Sequence, residues 1–276
     1  MRTRSRTRPM YGTVIRTEWL TPDLVRLVLG GSGLAAFDPV PCTDAYVNVA
    51  LPPRGAPYAG AFDVDEVKVR HPREWWPHRR RYTVRSWDPE RRELTLDIVI
   101  HGDQGVGGPW AAAARLGDVL VFGGPAGSYR PDQTADRHLL VGDESALPAI
   151  AASAEAAPHG TQVTARLLVN GPAHEVPFTS PGQLDLRWLH RTGDPAVDVH
   201  LLADEVRGLD LGTGRVQAFV HGEAEEVRAI RRHLLADRSL AQADLSCSPY
   251  WRRHLTDEAW REVKADWNAA VEDDIA

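Results

Sequence analysis

Leu94, Leu96, Ile98 and Ile100 alternate with Thr95, Asp97 and Val99, a period of two that predicts a half-buried strand. Strand-like runs recur through the first half of the chain. Tyr11 to Trp19 and Asp23 to Leu29 are rich in β-branched and apolar residues and are broken by Thr21-Pro22. Ala45 to Leu51, Arg81 to Trp87, Glu93 to Ile100 and Asp118 to Phe122 continue the series, with a short Ala-rich helix expected at Trp110 to Arg115. Short strands separated by turn residues point to a β-barrel or sandwich.

The second half has another rhythm. His138 to Val141 reads as a short apolar strand that runs through Gly142-Asp143 into a helix from Ser145 to Ala157, with Pro148 near the first turn, where proline is tolerated. Val163 to Val169, Leu184 to Leu189, Val199 to Leu202 and Val216 to Val220 are the further strand candidates. The last of them ends at His221-Gly222 before a helix carrying Val227, Ile230 and Leu234 at helical spacing. Strands alternating with helices indicate an α/β domain with a largely parallel sheet. A final helix is expected from Thr256 as N-cap, with Asp257 and Glu258 in its first turn and Trp260, Val263, Trp267 and Val271 along one docked face. The expected organisation is a basic tail over 1–10, an antiparallel barrel over 11–130, a linker near Tyr129 to Asp136, and an α/β domain over 137–276.

Composition narrows the functional classes. Hydrophobic residues at 43% and charged residues at 25% are ordinary for a globular chain. A net charge of −6 argues against a nucleic-acid partner, and the alternating Arg2, Arg4, Arg6 and Arg8 read as a solvated tail. No stretch approaches the length of a membrane span and no apolar segment follows those arginines, so the expected location is the cytoplasm. Cys42 and Cys247 alone cannot supply the four thiolates of a common iron–sulfur cluster, and no paired-His pattern offers a metal site. Redox chemistry here would need an organic carrier.

The chemistry-bearing segments fall at strand ends and turns. In Arg80-Arg81-Tyr82-Thr83-Val84-Arg85, alternation places Arg80, Tyr82 and Val84 on one face. An arginine there can grip a pyrophosphate through two parallel hydrogen bonds, and a tyrosine two residues on can pack on a flat ring. Thr83 can donate to a ring nitrogen. The same run also suits a surface strand with solvated arginines and one packed tyrosine. Gly102, Gly105, Gly107 and Gly108 lead into the Trp110 helix, where backbone N–H groups could meet a phosphate, but the run is neither a Walker A motif nor a dinucleotide fingerprint. Asp143, Glu144, Ser145 and Ala146 sit at the carboxyl end of the first α/β strand, where ligands of open parallel sheets bind. Their acidity suits polar positioning more than a phosphate. Tyr250-Trp251-Arg252-Arg253 combines aromatics with cations that could face an anionic ligand.

Taken in order, these segments resemble the siderophore-interacting protein family, flavin-dependent ferric-siderophore reductases with a ferredoxin-reductase-like fold. The resemblance also runs through Leu116-Gly117-Asp118, Gly124 to Tyr129, Gly222-Glu223 and Thr256 to Trp260. It implies FAD contacted around Arg80, Tyr82, Thr83, Val84, Asp97, Val99 and His101, with Gly107, Gly108, Trp110 and Trp251 near it and Thr83 at the reacting ring. It implies NADPH or NADH entering near Asp143 to Ala146 and Glu223, then electron delivery to a ferric chelate docked against Arg130, Arg252 and Arg253. A monomer or weak dimer without a resident metal is expected. Three positions depart from the family pattern: Asn48 where a lysine is common, Gly105-Val106-Gly107-Gly108-Pro109 where Gly-Pro-Ala-Ser is usual, and Pro249 where glycine is common. A flavoenzyme with a different substrate, or a ligand-binding protein using the same cleft, stays open at this level.

Overall fold

A computed structural model describes residues 10–100 and 105–273. The chain divides into two compact units between Ser128 and Tyr129. Each is built around its own sheet.

In the first unit, six strands among the described residues close into an antiparallel barrel: β1 (Met10–Thr21), β2 (Leu24–Gly30), β3 (Tyr46–Leu51), β4 (His78–Asp88), β5 (Glu93–Val99) and β6 (Val119–Ala126), in the order β1-β2-β5-β4-β3-β6. Alternation explains the closure. Leu94, Leu96 and Ile98 point inward from β5 with no exposed surface, and they meet Leu27, Leu29, Val47 and Val49 in one core. Of the tail expected over 1–10, Met10 already belongs to β1; the arginines before it lie outside the described residues.

Two helices interrupt the barrel. α1 (Val64–Arg70) was not foreseen in the sequence, although Asp63 is an N-cap whose side chain accepts from the Asp65 and Glu66 N–H groups. α2 spans Gly107–Ala113, so Gly107 and Gly108 of the glycine run belong to the first turn of the helix itself, Gly105 precedes it with φ +79°, and Gly102 lies outside the described residues.

The second unit carries a parallel sheet of β7 (Arg137–Asp143), β8 (Gln162–Val169), β9 (Gln183–His190), β10 (Val216–Glu223) and β11 (Leu245–Trp251), in the order β11-β10-β7-β8-β9. The helices are α3 (Leu147–Glu155), α4 (Pro195–Gly208), α5 (Ala224–Arg232) and α6 (Asp257–Asp273). The strand expected at Val199 to Leu202 is instead the middle of α4. Asp194 caps the Ala196 N–H, Pro195 opens the helix, and Leu202, Ala203 and Val206 form its buried face. The fifth parallel strand is β11, which pairs with β10. The linker expected near Tyr129 to Asp136 is anchored rather than loose: Tyr129 packs on Phe219 with ring centroids 4.8 Å apart, and the Asp132 N–H donates to Gln217 Oε1. On α6, Trp260, Trp267 and Val271 are buried against Ala224, but Val263 is 40% exposed. Lys264 takes the inner position, donating to the Pro249 carbonyl at 2.6 Å.

Candidate functional site

The first cluster belongs to β4. Val84 and Tyr82 pack against the barrel core, as does Trp110 of α2. A Cβ on Gly107 would overlap the Tyr82 hydroxyl and stand 3.4 Å from Arg80 Cγ, so only glycine lets α2 start this close to the strand. Arg80 and Tyr82, which alternation puts on one face, are therefore neighbours of the first turn of α2. The Arg80 guanidinium donates to the Arg79 carbonyl at 2.9 Å. Thr83 is buried and pairs across the sheet with Tyr46; Val99 ends β5 opposite Leu24. Gly108 lies in the first turn of α2. His101 lies outside the described residues.

Asp97 is held within the barrel wall. It is buried, and both its oxygens accept from Arg26 at 2.7 Å, with Arg85 Nε 3.9 Å away. The carboxylate thus clamps β2 to β5 and holds Arg85 beside them. On the other face of β4, Arg79 Nε donates to Asn48 Oδ1 at 3.2 Å and the Arg81 guanidinium lies over the Tyr46 ring at 5.2 Å.

The second cluster gathers at the carboxyl ends of the parallel strands. Asp143 is fully buried; its Oδ1 accepts from the Ser145 N–H and hydroxyl, and its Oδ2 accepts from Trp251 Nε1 at 2.7 Å. Ala146 caps α3 and is buried. Gly142 and Gly222 make the crowding possible. A Cβ on Gly142 would overlap the His221 carbonyl, and Gly222 has φ +148° with Asp143 Oδ2 at 2.8 Å from any Cβ.

Glu144 pairs with Arg191 at 2.8 Å. Burial, and then the charge of Asp143, push its carboxyl up to about 7 against the pull of Arg191. Glu223 caps α5 by accepting from the Glu225 and Glu226 N–H groups, and it also accepts from the Arg253 N–H at 3.1 Å. Glu226 is bound by Arg253 Nη2, yet burial and the charge of Asp143 push its carboxyl up to about 8. Glu226 and Arg191 were not legible as members of this group, because both arrive from outside the motifs. Arg253, expected to face a substrate, is turned onto Glu223 and Glu226. Arg252 is more open and pairs with Glu225 at 3.1 Å; Arg130 is exposed.

Two family models cover nearly the whole chain: the siderophore-interacting FAD-binding domain matches residues 13–129, and the siderophore-interacting protein domain matches residues 135–254. The chain belongs to the siderophore-interacting protein family. This family member is 38% identical to an uncharacterized protein of Mycobacterium tuberculosis H37Rv, covering 94% of this chain and 96% of that one. It is 32% identical to the ferric vibriobactin reductase of Vibrio cholerae serotype O1, covering 91% and 92%. The NADPH-dependent ferric-chelate reductase of Escherichia coli K12 is 28% identical, covering 87% and 91%. Among solved structures, a siderophore utilization protein from T. fusca aligns with a TM-score of 0.78 at 34% identity, covering 90% of this chain and 94% of that one. The barrel followed by a parallel α/β sheet is thus the ferredoxin-reductase-like architecture expected from the sequence.

The residues of β4 fit the FAD that the first domain's family binds. Arg80 stands on the same face of β4 as Tyr82, and its guanidinium suits a doubly charged pyrophosphate. Gly107 lets the first turn of α2 close on Arg80 and Tyr82, where a Cβ would meet the Tyr82 hydroxyl. No group of His, Cys, Asp or Glu among the described residues could hold a metal ion, and no helix there is long and apolar enough to cross a membrane.

Proposed function

We propose that the protein is an FAD-dependent NAD(P)H oxidoreductase that reduces a ferric siderophore and so releases Fe(II). The observation that carries this reading is the meeting of Arg80 and Tyr82 with Gly107 at the start of α2. It joins a cation, an aromatic ring and the glycine start of a helix within the FAD-binding domain. Bound FAD supplies the conversion between a two-electron hydride donor and one-electron acceptors.

Arg80 would hold the pyrophosphate by charge-assisted hydrogen bonds. Tyr82 would flank the ring system with its face, and Thr83 would offer a donor to the ring edge. Trp110 packs against the same barrel core. Asp97 acts indirectly, by fixing Arg26 and Arg85. In the second unit, Asp143 to Ala146, with Trp251 and Glu223, would receive the nicotinamide end of NADPH or NADH. The named activities of the Vibrio and Escherichia relatives support a ferric chelate as substrate and NADPH as donor. Arg252 and the exposed Arg130 would meet an anionic chelate, and the site of action would be cytoplasmic. One NAD(P)H then reduces two ferric centres, giving NAD(P)⁺, one proton and two Fe(II), which hard oxygen donors hold far less well than Fe(III).

A second reading keeps the flavoenzyme and changes its acceptor. Asn48 favours it, because its side chain is an amide engaged by Arg79 where the family commonly has a cation. Anaerobic oxidation of NADPH and NADH, with and without ferric siderophores and with an Fe(II) trap, tests both. Siderophore-dependent oxidation with trapped Fe(II) supports the first reading. Oxidation that ignores every ferric chelate supports the second.

A further inference from the structure

Four buried carboxyl groups converge in the second unit: Asp143 at the end of β7, Glu144 just after it, Glu223 at the end of β10, and Glu226 in the first turn of α5. Two guanidiniums answer them. Arg191, just beyond β9, pairs with Glu144, and Arg253, just beyond β11, pairs with Glu223 and Glu226. Fully ionised, the group would carry two uncompensated negative charges away from water, a state that burial penalises heavily. Glu144 Oε2 is buried without a hydrogen-bond partner among the described residues but lies 2.8 Å from Arg191 Nη1, so the deficit lies with Glu226. Glu226 Oε2 is buried and has no hydrogen-bond partner among the described residues, and Arg253 Nη1 is also without one, 3.6 Å from Glu223 Oε2. An ionised carboxylate would not leave an oxygen bare there; a protonated carboxyl tolerates it far better.

We propose that this cluster reads the charge of the nicotinamide ring: a positively charged oxidised ring bound at the carboxyl ends of β7 and β10 expels a proton from Glu226, and a neutral reduced ring does not. The inference rests on the nicotinamide site put forward above and adds a proton-coupled preference to it. The groups facing Glu226 are Asp143 from β7, Glu223 from β10, Arg253 from the segment after β11 and, at longer range, Arg191 from the segment after β9. Asp143 and Glu223 favour its neutral form and Arg253 opposes it, so a further cation nearby tips the balance toward ionisation. The position of its titration, about 8, places the exchange within the physiological range. The oxidised nucleotide should therefore bind more tightly as pH rises, by about tenfold for each unit that the ring charge lowers the carboxyl's pKa.

The test is calorimetric titration of the flavin-loaded full chain at pH 7.5, in two buffers of different ionisation heat. The ligands are NADP⁺ and tetrahydro-NADP, a redox-inert neutral-ring analogue of NADPH, with the NAD pair alongside. Phosphate ionisation is common to both members of a pair and cancels. Proton release on binding the oxidised form, absent with the neutral ring and abolished in Glu226→Gln, is the expected result. Equal proton counts for the two forms in the wild type overturn the inference and leave the nicotinamide site standing; this comparison needs no variant. Undiminished release in a folded Glu226→Gln protein also overturns it. Failure of both pairs to bind overturns the nicotinamide site and the inference with it.

Discussion

The Tyr82 hydroxyl occupies the space that a Cβ on Gly107 would need. This contact fixes the distance between β4 and the first turn of α2. Gly107→Ala should force the tyrosine aside and weaken FAD retention by about 1–3 kcal/mol, the usual range for overpacking. Tyr82→Phe in the same chain removes the clashing atom and should recover part of the loss. Arg80→Ala should weaken retention by about 1.5–3 kcal/mol through a lost charge-assisted bond. Flavin-to-protein absorbance after gel filtration measures all four proteins. Unchanged occupancy in Gly107→Ala and Arg80→Ala would remove this face from the flavin site.

Asp97 and Arg26 form a two-bond pair across β2 and β5, both bonds 2.7 Å. Breaking a buried pair from one side costs about 3–5 kcal/mol, and Arg26 is partly exposed, so Asp97→Ala should lose an amount near the lower end. Replacing both, as Arg26→Met with Asp97→Leu, should be much milder. Urea denaturation separates the cases. A small loss in the single variant would show that the pair does not clamp the barrel.

Stability should depend on pH through Glu144 and Glu226. Their carboxyls titrate at about 7 and about 8 in the folded chain, above the ordinary value of 4.5. The folded state therefore binds more protons than the unfolded chain between roughly pH 4.5 and 8. The stability this supplies is fully present below the unfolded pKa and is lost as pH rises through the folded ones. His221 works in the opposite direction: burial, and then the charge of Lys264, hold it down to about 3, so stability falls as pH drops below the ordinary 6.5. Thermal melts between pH 6 and 9 should show a decline that Glu226→Gln flattens. Parallel curves for the two proteins would contradict the assignment.

Arg252 is more than a third exposed and pairs only with a comparably exposed Glu225 among the contacts described for it. Arg252→Ala should leave stability within about 0.5 kcal/mol, as surface pairs do. It should raise the apparent KM for an anionic ferric chelate without altering the flavin spectrum. Identical kinetics would place the chelate on another surface.

Much of the architecture was legible because burial imposes a period. The inward leucines of β5 mark their strand, and Val227, Ile230 and Leu234 mark the helix after β10. Short windows misled. Four residues from Val199 carry two readings, and only Asp194-Pro195 upstream and the Leu202–Val206 spacing reveal α4. Val263 looked like part of the α6 seam because it is apolar, yet the helical turn brings Lys264 inward instead. The strand motif around Arg80 could be read from alternation, but its contact with Gly107 required the closed barrel. Asp97 could be suspected as functional; its partner stands 71 residues away, and only the β2–β5 register discloses it. The carboxyl cluster was half visible for the same reason. Asp143, Glu144 and Glu223 lie in recognisable strand ends, whereas Glu226, Arg191 and the inward turn of Arg253 depend on packing between distant segments.

The most direct measurement is FAD uptake by the purified full chain, followed by visible absorption under anaerobic conditions. The expected result is a retained flavin spectrum that NADPH or NADH bleaches and a ferric siderophore restores, with Fe(II) appearing in the trap. A colourless protein that takes up no added FAD would contradict the proposed activity outright.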